Sequence, residues 1–161
     1  MDEKLKWQIA TVIKNALNDI GLIGRKEEIE KILSTNDGLN LNDGLNLNNL
    51  VETIQKAAYI DSNSIKIYTN EFKSFDPFIK DSISPNKTII LFRDMPPFKQ
   101  IFRGNYSDVN VVNLKEINPK EKTLTLSNGV ENKEISFEKF KTMKEPIFKE
   151  YPLIIITIEK I

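Results

Sequence analysis

The side chains that most often carry nucleophilic and acid–base chemistry are missing, since the 161 residues include no Cys and no His. Thiolate nucleophiles, thiolate zinc sites and disulfides are excluded together with the most used general base and metal ligand. Carboxylates are plentiful. Asp61, Glu71, Asp76, Asp81, Asp94 and Asp108 fall in loops or near the ends of expected elements. A convergent pair among them would support glycosidase-like acid–base catalysis, whereas solvated surface charge is the commoner role. The hexapeptide NDGLNL at residues 36–41 is repeated letter for letter at residues 42–47. Its Asp, Asn and Gly suggest calcium, but Leu39 and Leu41 fall where an EF-hand loop needs oxygen ligands. A duplicated surface loop is the expected role. No metal and no cofactor is expected.

A second kind of chemistry is recognition. The stretch PPFKQIFRGNY, residues 96–106, interleaves Phe98, Phe102 and Tyr106 with Lys99 and Arg103. Aromatics beside Arg are the side chains that anchor peptide and protein interfaces. The same residues can instead cover a core from a long loop. Lys plus Arg equals Asp plus Glu at 23 each, so a phosphate-backbone binder's basic excess is absent and no nucleic-acid partner is expected. The charged opening MDEKLKWQ gives no expectation of a signal peptide, and the apolar run PLIIITI is far too short to span a bilayer. A cytoplasmic location and a peptide or protein partner are the expectations.

The elements that would position these residues follow from periodicity. Ile9, Val12, Ile13, Ala16, Leu17 and Ile20 recur on one helical face, with Gly21 and Gly24 as the stop. A short helix over residues 26–33 buries Ile29, Ile32 and Leu33. A third helix is expected to begin at Asn49, with Asn49 as cap, Glu52 completing a capping box, and a stripe of Leu50, Val51, Ile54, Ala57 and Ala58. Strands are expected at residues 64–68, 87–92, 109–117, 123–126, 133–137 and 153–159, and a short helix near Pro77. Ser127, Asn128 and Gly129 mark a hairpin turn, and Ser136 caps a helix over FEKFKTM. Helices first and antiparallel strands after predict a single α+β domain over residues 1–161.

This order and spacing resemble the papain-like cysteine peptidases that trim double-glycine leaders from bacteriocins. WQIATVIKNAL resembles the nucleophile helix, and STNDGLNLNDGLNLNNLVETI the loop and third helix with its hexapeptide doubled. KTIILF resembles the buried strand, VNVVNLKEINPKEKTLTLSNG the His strand, hairpin and acid position, and ISFEKF with PLIIITI the ending. The resemblance implies a papain-like fold of N-terminal helices on a mainly antiparallel sheet. It puts the nucleophile position at Trp7, give or take one residue, the His position at Asn110 (or Asp108), and the third position at Asn128. Thiol acyl transfer needs a thiolate and a base to generate it, and Trp and Asn supply neither. The resemblance therefore implies a peptidase-like domain without catalysis. A peptide or partner would lie in a cleft lined by Trp7, Asn110 and Asn128 and rimmed by Phe98, Phe102, Arg103 and Tyr106. The rivals are a small interaction or inhibitor protein, of phage or immunity type, using an unrelated surface, and a carboxylate-dependent hydrolase.

Overall fold

The computed structural model describes residues 3–35, 46–59, 65–71, 84–93, 101–102, 110–147 and 153–161. The chain is α+β. Three helices, α1 (Glu3–Asp19), α2 (Lys26–Thr35) and α3 (Leu47–Tyr59), precede strands β1 (Ile65–Glu71), β2 (Lys87–Arg93), β3 (Val111–Asn118), β4 (Thr123–Ser127) and β5 (Asn132–Ser136). Helix α4 (Phe137–Ile147) and strand β6 (Leu153–Lys160) complete it. The strands form one antiparallel sheet in the order β1-β6-β2-β3-β4-β5. The last strand is thus inserted beside the second, with the first displaced to an edge.

Strand alternation sends the apolar residues of β2 and β6 to opposite faces. Ile90, Phe92, Ile154, Ile156 and Ile158 meet the buried stripes of α1, α2 and α3, among them Ile9, Ile13, Leu17, Ile29 and Ile54. Ile89, Leu91, Leu153 and Ile155 point the other way, to Ile101, Phe102 and Phe140 of α4. Both faces of these strands are therefore covered, which is why KTIILF and LIIITI read as unbroken apolar runs. A β-bulge in β3 between Leu114 and Glu116 flips the alternation, so that Val112 and Leu114 before it and Ile117 after it join the same α4-side core.

Local chemistry sets the element ends. Helix α1 stops in a Schellman motif: the Leu22 N–H donates to the Leu17 carbonyl, and the Gly21 N–H to that of Asn18. Gly21 supplies the left-handed φ of 81°. Gly24 is required by close approach, since a Cβ there would lie 2.8 Å from the Lys14 backbone. Helix α3 starts earlier than its spacing predicts. Asn46, not Asn49, is the cap, its Oδ1 accepting the Asn49 N–H at 2.8 Å. Leu47 extends the Leu50–Ile54 stripe by one turn toward the core, which explains the shift. Ser136 caps α4 as expected, its Oγ accepting the Lys139 N–H at 3.0 Å.

Candidate functional site

The first half of α1 lies against the β4–β5 hairpin and the start of β3, and the groups that meet there are polar and buried. Gln8, Asn113, Ser127 and Asn128 are all buried. Gln8 Nε2 donates to the Asn128 carbonyl at 3.1 Å, and Asn113 Nδ2 donates to the Val12 carbonyl at 3.0 Å. Asn113 stands opposite Ser127 in the β3–β4 ladder, on the face toward α1. These contacts form a polar seam between helix and sheet.

The hairpin is shaped for this seat. Asn128 Oδ1 accepts the N–H groups of Val130 and Glu131, both at 2.9 Å, and Ser127 Oγ accepts the Gly129 N–H at 3.2 Å. Asn128 thus turns the chain with its side chain, while Gly129 takes the left-handed φ of 92°. A Cβ on Gly129 would come within 3.3 Å of the Gln8 carbonyl and 3.4 Å of Thr11, so the turn needs Gly for space as well as for φ.

Of the positions expected from the sequence, Trp7 precedes the seam residue Gln8 on α1, and its ring meets Lys26 of α2. It is half-buried, with Lys26 Nζ 4.6 Å from its ring centroid. Its neighbour Gln8, within the expected one-residue tolerance, makes the contact with Asn128. Asn110 is not brought into this seam. It continues the β2–β3 ladder, its carbonyl accepting the Arg93 N–H at 2.9 Å. The alternation of β3 gives position 110 the parity of Val112 and Leu114, which pack on the α4 side. Phe102, expected on a binding rim, is instead fully buried in the α4-side core, so hydrophobic burial accounts for it. Phe98, Arg103 and Tyr106 lie outside the described residues, as do Asp61, Asp76, Asp81, Asp94, Asp108, residues 36–45 of the repeat and the segment around Pro77. Glu71 is exposed on β1.

Asn113 was not singled out by spacing, and Ser127 only as a turn residue. The signal was a polar residue inside the apolar run VVNL, which a buried strand tolerates only with a hydrogen-bond partner. Asn113 has one partner in the Val12 carbonyl, while its Oδ1 is buried without a donor among the described residues.

The seam's chemistry is that of amides and a hydroxyl. Such groups orient, donate and accept hydrogen bonds, but an amide has no useful basicity near neutral pH to activate the Ser127 hydroxyl. Among the described residues no three Asp or Glu side chains gather as a metal site, and no helix is long and apolar enough to cross a membrane.

A second concavity lies at the other end of the helix layer. A groove of about 490 Å3 runs between α3 and β1, lined by Leu47, Val51, Glu52, Gln55, Ile67 and Thr69 among others. No protein-family model matches the chain, and a search of curated proteins finds no match.

Proposed function

We propose that this chain is a non-catalytic, peptidase-like domain that binds a peptide or protein partner around Trp7, beside the stretch of α1 that the seam ties to the hairpin. The observation that carries the reading is the buried hydrogen bond from Gln8 Nε2 to the Asn128 carbonyl at 3.1 Å. It joins the helix start and the hairpin, where the leader peptidases that the sequence resembles hold a nucleophile and the last member of their catalytic set. Here the two are linked by amide groups. A framework of that kind keeps the positions together while supplying neither thiolate nor imidazole. Trp7, with an apolar ring and an indole N–H, and Lys26 beside it are suited to grip a partner.

Trp7 is the chain's single tryptophan, so it reports on its own surroundings. Titration with a double-glycine leader peptide is expected to shift its emission without cleavage of the peptide. Appreciable turnover by the purified chain overturns the proposal.

A second reading is favoured by the α3–β1 groove: a small interaction or inhibitor protein whose partner contacts a surface unrelated to the seam. In that case partner binding leaves Trp7 emission unchanged.

A further inference from the structure

The two edges of the sheet are finished differently. Strand β5 is the short edge, with Asn132, Lys133 and Glu134 exposed, and the chain turns at Ser136 straight into α4, which packs back on it. Short length, charge and a covering helix are the devices that keep an edge from pairing. Strand β1, the opposite edge, is longer at 7 residues and pairs along its whole length with β6. Among the described residues no strand pairs with its other side.

Beside that edge lies the α3–β1 groove, whose volume of about 490 Å3 is within the roughly 300–1,000 Å3 of ligand-binding clefts. Its apolar lining comes from Leu47, Val51, Ile67 and the ring of Tyr68, all half-buried, with Lys66 Nζ 5.4 Å from that ring, while Thr69, Asn70 and Glu71 of the edge are exposed. Glu52 is the one charged group in the lining, and its side chain is 49% exposed. Lys56 pairs with it at 2.9 Å from outside the lining. A helix beside an edge strand, with apolar residues between them, is the arrangement that receives an extended segment as an added strand. The main chain of the segment supplies hydrogen bonds, and alternate side chains enter the groove.

We infer that the α3–β1 groove binds an extended segment of a partner protein, which adds a strand to β1, places small apolar side chains against Val51 and Ile67, and sets a basic side chain beside Glu52. The basic side chain is chosen because the lining's one ionic group, Glu52, is a half-exposed carboxylate whose surface ion pair with Lys56 is weak enough for a second cation to share. This site is separate from the Trp7 surface, because three strands stand between β1 and β4 in the sheet.

The probe is a labelled heptapeptide alternating valine with lysine and threonine, titrated into isotope-labelled full-length protein. Amide shifts confined to β1 and to the Leu47–Gln55 side of α3, with Trp7 emission unmoved, are expected. Replacing lysine by glutamate in the peptide, or Glu52→Lys in the protein, should each weaken binding about two- to fivefold. Val51→Asp should weaken it by about tenfold or more. No shifts at millimolar peptide, or equal affinity for both peptides and both variants, overturns the inference. So do concentration-dependent shifts on β1 without peptide, which make a second copy of this chain the occupant. Shifts at α1 with a change in Trp7 emission also overturn it, while supporting the seam as the binding surface.

Discussion

The α1–hairpin seam and the α3–β1 groove both bring helix side chains against the sheet, but they use polar groups in opposite ways. In the seam, Gln8, Asn113 and Asn128 are buried; the Gln8 and Asn113 amides donate to main-chain carbonyls of the other element, and the Asn128 amide accepts N–H groups of its own hairpin. In the groove, Asn48, Glu52 and Gln55 stand on a surface helix above half-buried apolar residues. Burying an amide is tolerated only where hydrogen bonds replace water, so a buried set with partners on both elements fixes geometry. Exposed polar groups around apolar surface retain their capacity to bond elsewhere. The difference teaches that convergence of polar residues and availability for binding are separate properties of a fold.

The substitution with the largest expected effect on this contrast is Gly129→Ala. It forces a left-handed Ala and a methyl 3.3 Å from the Gln8 carbonyl, so stability in urea should fall by about 1–3 kcal/mol. A loss below about 0.5 kcal/mol would mean that the hairpin is not seated on α1.

Next in size, Gln8→Ala should cost about 1–2 kcal/mol, because it removes a buried donor and leaves a void beside the Asn128 carbonyl. Asn113→Val should stay within about 1 kcal/mol. It also loses a hydrogen bond, but it removes a buried Oδ1 that has no donor among the described residues, and the Val12 carbonyl remains inside a helix. Equal losses for the two variants would erase the distinction between a joint residue and a strand polar residue.

Most of the fold was legible in the sequence. The stripe of α1, the Gly21 stop, the KTIILF strand, the turn at Ser127 to Gly129 and the Ser136 cap each depend on residues close in sequence, whose spacing encodes them directly. The start of α3 slipped by one turn because Asn46–Leu47 and Asn49–Leu50 offer nearly the same cap and stripe. Only the packing of Leu47 on the core decides between them. The site was less legible. Whether position 110 faces α1 or α4 depends on the register of β3 against β2, and a one-residue difference sends a side chain to the opposite face. Phe102 read as a rim residue because an aromatic beside Arg and Pro has the same composition in a loop that covers a core. The edge position of β1 was hidden as well, since the insertion of β6 between β1 and β2 is a long-range pairing with no local signal.

The smallest expected effect lies in the groove. Gln55→Ala, at an exposed position of α3, should change stability by less than about 0.5 kcal/mol. A loss above about 1 kcal/mol would show that the groove wall is structural, like the seam, and would remove the contrast.

The most direct test of the central claim, that this framework binds and does not cleave, is mass spectrometry of a double-glycine leader peptide after prolonged incubation with the purified chain. Intact peptide, with Trp7 emission shifted on mixing, is the predicted result. Cleavage of the peptide would contradict the account, and its loss in Ser127→Ala would make the seam a catalytic centre.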